Sequence, residues 1–350
     1  MSTIDPLLPT TSSHDPQRTS PRDPEQGRGG APARAACNAI VLGAGPVLVV
    51  VTVVASVLGG ASACSTSVPS WALAVALAAL VLGVPHGAVD HLALARSSRV
   101  SAGLPVRTVY VVAAAAAALA ILCIPGPAFV VVLAMSVWHF GTGDVEAVAD
   151  LSGRVTRGRP VRVVQALALG AAPVLLPLTG ASAVSTVQLI NPGLAEVLTP
   201  AAMSLARYGV LCLILLAVVL LARDGNRRGA AELALLAVLG LVASPLVAFA
   251  VYFASWHALR HTARLAAGPG GDVRLANLGR TFAAGVPALV VTVAVAAACV
   301  VAFRGSSTIG TWMWVGLALV WGLTVPHMIV IARFDRARST SDGREAVQLH

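Results

Sequence analysis

A succession of long apolar runs, separated by short arginine-bearing loops, constrains what this chain can fold into more than any other feature. A helix needs roughly 20 mostly apolar residues to cross the hydrocarbon core of a bilayer, where each backbone polar group must be satisfied within the segment. Runs of that kind lie near 37–60, 71–95, 106–124, 127–143, 161–178, 203–222, 230–246, 247–265, 281–303 and 311–333. The fifth and seventh are short, and only Ser244-Pro245 divides the seventh from the eighth. The expectation is an all-α polytopic transmembrane bundle of about ten spans in the cell membrane. Composition agrees, with 57% of residues hydrophobic and 11% charged, against about a quarter charged in soluble domains.

Arginine sets the expected sidedness. Arg18, Arg22, Arg28 and Arg34 precede the first run, and Arg96, Arg99 and Arg107 follow the second. Arg154, Arg157, Arg159 and Arg162 follow the fourth, Arg223, Arg227 and Arg228 the sixth. Arg260, Arg264, Arg274 and Arg280 surround the end of the eighth, and Arg333, Arg336, Arg338 and Arg344 follow the tenth, leaving only Arg207 and Arg304 opposite. By the positive-inside rule both termini are cytoplasmic and the number of crossings is even. The net charge of +9 is thus spread between spans and forms no nucleic-acid-binding face.

The polar stretch 1–35 reads as a disordered cytoplasmic tail, 36–335 as the transmembrane catalytic domain and 336–350 as a short cytoplasmic tail. The first apolar run begins near Ala36 and is long enough to span, which argues against a cleavable signal. Cys37, Cys64, Cys123, Cys212 and Cys299 stand singly, with neither a disulfide framework nor a thiolate metal pattern. The chain has no lysine, so it cannot hold retinal as a Schiff base.

Histidine is where the chemistry concentrates. The second, fourth, eighth and tenth runs carry His86, His139, His257 with His261, and His327, all in what the arginine pattern makes their cytoplasmic halves. Ionisable groups at that depth are costly and mark function, whereas His14 and His350 fall in polar termini as solvated bystanders. In YFASWHALRH, residues 252–261, two histidines four apart share a helix face and can grip one metal ion. Arg260 and Arg264 beside them read as snorkelling to the interface, and Trp256 as wall or interfacial belt.

GVPHGAVDH, residues 83–91, combines a proline break with His86 and Asp90, four apart, so that Asp90 can orient a ring. His91 is about 140° around the helix from His86 and reads as a polar cap near the interface. In SVWHFGTGD, residues 136–144, His139 reads as a ligand or as a helix–helix hydrogen bond. Asp144 reads as a supporting acid or as a loop carboxylate balancing arginine. LTVPHMIV, residues 323–330, makes His327 a fifth ligand, a distal acid or base, or a ring that hydrogen-bonds substrate. Gln188, Asn191, Pro192 and Glu196 suggest a re-entrant or interfacial segment, and no Walker A, Rossmann, Ser-His-Asp or EF-hand pattern occurs.

Taken in chain order between residues 83 and 330, GVPHGAVDH, WHFGTGD, YFASWHALRH and LTVPHMIV together resemble the Brp/Blh family of membrane-integral bacterial and archaeal β-carotene 15,15'-dioxygenases. The resemblance implies oxidative cleavage of the central double bond of β-carotene by O2 to two molecules of retinal. It implies Fe(2+) held by His86, His139, His257 and His261. Read from their own positions, Asp90 and His327 would tune or orient those ligands, and a functional link to a retinal-binding rhodopsin is a further expectation. Three other readings stay open on the residues alone: a haem-binding membrane cytochrome, a metal or proton transporter, and a non-catalytic carotenoid-binding or rhodopsin-assembly factor. The transporter requires polar residues continuing across the membrane, and the non-cytoplasmic halves hold almost none.

Overall fold

A computed structural model describes residues 31–58, 70–89, 104–156, 158–267, 272–302 and 308–348. The stretch before residue 31, read above as a disordered tail, lies outside the described residues, as do Asp90 and His91. Among the described residues the chain is helical throughout, with no strand.

Helices α1 (Ala31–Leu58), α2 (Ser70–Ala88), α3 (Leu104–Cys123) and α4 (Pro125–Ser152) lead into α5 (Arg159–Val174) and the short α6 (Ala183–Ile190). Then follow α7 (Pro200–Arg223), α8 (Arg227–Val242) and α9 (Pro245–Tyr252), the last continuing without a break through a π-helical stretch (Phe253–Ala258) into α10 (Leu259–Ala266). Helices α11 (Leu275–Ala302) and α12 (Ile309–Gln348) complete the bundle. Among the described residues six helices are long and apolar enough to cross a bilayer, namely α1, α2, α4, α7, α11 and the first part of α12, and the apolar part of α3 is shorter.

That is fewer than the ten apolar runs read from the sequence, and the difference has a physical source. Helices α5 and α8 have 16 residues each, and the eighth run is α9 to α10, whose second half carries Arg260, His261, Thr262 and Arg264 buried in the protein. A helix sheathed by other helices needs neither full span length nor a wholly apolar surface. Helix α12 also runs on through Gln348, past residue 335, where the sequence reading ends the bundle.

Local chemistry sets the ends. Thr199 accepts from the Ala202 amide at 3.1 Å and Pro200 opens α7. Asn226 accepts from the Gly229 amide at 3.0 Å to cap α8. Gly153, at φ 67°, closes α4 in the left-handed conformation that other residues resist. The segment 188–196 runs from the last turn of α6 into a 3-10 turn (Pro192–Val197), with Asn191 accepting from the Gly193 amide at 2.9 Å.

Close approach of backbones holds the centre. A Cβ on Gly141 would collide with the Ala166 carbonyl and one on Gly170 with the Val137 carbonyl, so α4 and α5 interlock at two small residues in the manner of membrane helices. Gly285 of α11 likewise sits on the backbone of Pro85. Helix α4 is central, with 61% of its apolar window buried, whereas α11 buries 17% and turns Val290, Val291 and Val301 outward. The largest core cluster joins α5, α7, α8 and α9 through Leu169, Ile214, Leu236, Leu239, Tyr252 and Trp256.

Candidate metal centre

Five of the six histidines in the sequence motifs converge on one point, from α2 (His86), α4 (His139), the π stretch (His257), α10 (His261) and α12 (His327), and the sixth, His91, lies outside the described residues. All are buried. Ring centroids of His139 and His327 are 4.9 Å apart, and those of His139 and His257 5.2 Å. His86 is 5.5 Å from each of His257, His261 and His327. His261 is 5.4 Å from His327 and stacks on His257 at 6.1 Å, the two planes inclined by 14°.

His86, His139 and His257 can each turn one ring nitrogen to a common point, the three atoms lying within 4.8 Å of one another. His261 packs against these rings within the same cluster, as does His327, for which the sequence left three roles open. The two histidines four apart in the chain, His257 and His261, are farther apart ring to ring than His139 and His327. The π-helical stretch widens the helix at His257, a distortion that frequently marks functional sites.

Two of the rings have their orientation settled by the protein. His86 shares Nδ1 with the carbonyl of Gly83, which leaves Nε2 to the cluster. His257 Nδ1 lies 3.1 Å from Asp144 Oδ1, and the Tyr252 hydroxyl donates to Asp144 Oδ2 at 2.9 Å. Asp144 is thus a buried residue of α4 and not a loop carboxylate paired with arginine. Gly143 makes room for this contact, since a Cβ there would approach His257 Cε1 to 3.0 Å.

The sequence reading missed Tyr252 as a partner of this network, although it stands five residues before His257 within the quoted motif. Asp90, expected to support His86, lies outside the described residues. The walls are aromatic: Phe140 packs 4.6 Å from His257, and Phe253 meets the His86 ring edge-on at 5.3 Å.

Arg260 and Arg264 correct the sequence reading. Each is 1% exposed, so neither snorkels. Arg260 lies 4.1 Å over the Trp256 ring, donates to the Leu42 carbonyl at 3.1 Å and pairs with Glu232 at 3.2 Å. Arg264 joins Asp150 of α4 through Nε and Asp335 of α12 at 2.6 Å through Nη2. Trp256 is buried wall, not interfacial belt.

The donor set fits a metal. His257 Nε2 and both ring nitrogens of His261 are buried with no hydrogen-bond partner among the described residues. Leaving such a group unsatisfied costs about 1–3 kcal/mol. Coordination removes that penalty, and the neutral imidazoles suit iron, copper, nickel or zinc.

The profile of the beta-carotene 15,15'-dioxygenase family matches residues 77–335, a stretch that contains all five clustered histidines and Asp144. The probable beta-carotene 15,15'-dioxygenase Blh of Halobacterium salinarum is 29% identical over 304 residues, covering 74% of this chain and 83% of the relative. No solved structure matches. With the family profile covering most of its length and every histidine of the buried cluster, this chain belongs to the beta-carotene 15,15'-dioxygenase family.

Proposed function

We propose that this protein is an iron-dependent dioxygenase that cleaves β-carotene at its central 15,15' double bond, both atoms of O2 ending in two molecules of all-trans-retinal. The observation that carries the reading is the convergence of five buried imidazoles, from separate helical segments, in a chain of this family. His86, His139, His257 and His261 would hold Fe(2+), with His327 in support. When bound, iron supplies the redox chemistry by which O2 reacts with a closed-shell olefin, without an anionic residue among its ligands.

The rest is work for the chain's own residues. Asp144 holds His257 with Nε2 turned to the cluster, and Gly83 does the same for His86. Phe140 and Phe253 keep water from that face and offer an apolar wall to a hydrocarbon. Helices that turn valine and leucine outward suit residence in the lipid where carotene dissolves, so the substrate need not pass through water. The arrangement contributes orientation more than proton transfer. Lacking lysine, the chain cannot retain retinal as a Schiff base, and a separate retinal-binding protein such as a rhodopsin would take the product.

We further read ten crossings of the plasma membrane with both termini cytoplasmic, supported by the arginine distribution. The test of the activity is expression in a β-carotene-accumulating bacterium. Loss of orange colour with formation of retinal, both abolished by His257→Ala, is the expected result. Retained colour with well-expressed protein would overturn it, unequal apocarotenal fragments would move the cut off-centre, and a Soret band in the purified protein would favour the cytochrome.

A further inference from the structure

An elongated apolar groove of about 690 Å³ runs along the outer side of the helix that carries His257 and His261. It follows that helix from Ala250 to Thr262, roughly 18 Å at the usual 1.5 Å rise per residue. Its other walls come from α1, α2 and α11, and its rim from Leu48, Leu82 and Leu275, all three exposed. The groove is a neighbour of the metal centre. Val75, Ala79 and Leu82 of its lining recur with His86 at spacings of four, three and four, which puts all four on one stripe of α2. Ala258 and Thr262 on the opposite wall directly follow His257 and His261 in the chain.

The lining has a chemical signature. Its polar side chains are Thr52, Ser255 and Thr262, and each hydroxyl is already spent on its own helix. Thr52 donates to the Leu48 carbonyl at 2.8 Å, Ser255 to that of Val251 at 2.6 Å and Thr262 to that of Ala258 at 2.7 Å. The groove therefore presents no hydrogen-bonding need that an occupant would have to meet. A hydroxyl on the occupant would meet no free donor there and only three hydroxyl oxygens able to accept, so it would trade its water partners for fewer. We infer that this groove is the subsite for one hydrocarbon arm of the carotenoid, entered sideways from the bilayer between α1, α2 and α11, with the chain leading along α2 toward His86. The assignment rests on the dioxygenase reading for its choice of a polyene over other hydrocarbons. It adds a selectivity, for arms without a hydroxyl.

The test fills the groove away from the histidines. Ala78 lines it from an exposed position, and Ala79 lies beside it on the same helix. Full-length, iron-loaded protein in phospholipid nanodiscs carrying Ala78→Phe or Ala79→Leu is expected to show a KM and Kd for β-carotene raised at least tenfold. Its kcat, iron content and melting temperature should stay at wild-type values. A carotenoid hydroxylated on its end rings should bind the wild type at least tenfold more weakly than β-carotene. Unchanged β-carotene affinity in a folded variant would overturn the assignment, as would equal binding of the hydroxylated compound. Loss of a co-purified phospholipid with carotene affinity intact would make the groove an acyl-chain site instead. If the wild type binds β-carotene but forms no retinal, the dioxygenase reading fails. The groove then still stands on the weakened binding of the filled variants.

Discussion

Asp144 gives His257 its direction. With Nδ1 engaged by the carboxylate at 3.1 Å and that carboxylate held in turn by Tyr252 at 2.9 Å, the ring has one free nitrogen and one orientation. Partners of this kind typically govern metal affinity by 10–100-fold. Asp144→Asn is expected to lower retained iron per protein in that range after dialysis against a weak chelator. Tyr252→Phe, which leaves the carboxylate in place, should have a smaller effect in the same assay. Equal iron retention in Asp144→Asn and wild type would remove this role. From sequence alone Asp144 could serve as supporting acid or as loop charge, because the choice depends on α4 continuing to Ser152 and on which way it faces. His139 was open in the same way, as a ligand or as a helix–helix hydrogen bond, and it is the folded arrangement that brings its ring against His257 and His327.

At the scale of the element, α10 ties the histidine-bearing helices together. Its Arg264 bridges Asp150 on α4 and Asp335 on α12, the helices that also bear His139 and His327. Removing one member of a buried charge network leaves the others uncompensated and costs about 3–5 kcal/mol. Arg264→Met should therefore lower the melting temperature of the purified protein and its iron content together. Arg264→Lys should restore only part of either, because a single ammonium cannot reproduce the fork through which Nε and Nη2 reach two carboxylates. A melting temperature unchanged in Arg264→Met would show that the clamp contributes nothing. A second contact of this scale is the interlock of α4 with α5, where Gly141→Val is expected to abolish accumulation of folded protein, measured by detergent-resistant monomer on size exclusion. Sequence reading placed both arginines at the interface, the usual place for them at the cytoplasmic end of an apolar run. It had no way to pair Arg264 with acids 71 and 114 residues away, or Arg260 with one 28 residues away.

For the whole molecule, packing extends well beyond the histidine cluster. The bundle buries extensive apolar cores remote from the histidines, around Leu169, Leu236 and Leu239 and again around Phe129 and Leu194. Stripping the metal with a strong chelator should thus abolish cleavage and lower the melting temperature through lost ligand linkage, while leaving the helical circular dichroism intact. Collapse of the helical signal would mean that the metal organises the fold, as it does in small zinc domains. Sidedness is testable in the same molecule. A reporter fused after residue 225 should read cytoplasmic and one fused after residue 198 the opposite side, following the arginine pattern.

What the chain determined by its order of residues was a set of apolar helices and the depth of each histidine along them. Both follow from local composition and from a fixed rise per residue. Tertiary structure alone decided that five rings meet, that His86, His139 and His257 can turn ring nitrogens to one point, and that Asp144, Arg260 and Arg264 lie inside. Those outcomes depend on how each helix is rotated and where it crosses its neighbours. That is set by contacts such as Gly141 on Ala166 and Gly285 on Pro85, between segments remote in sequence.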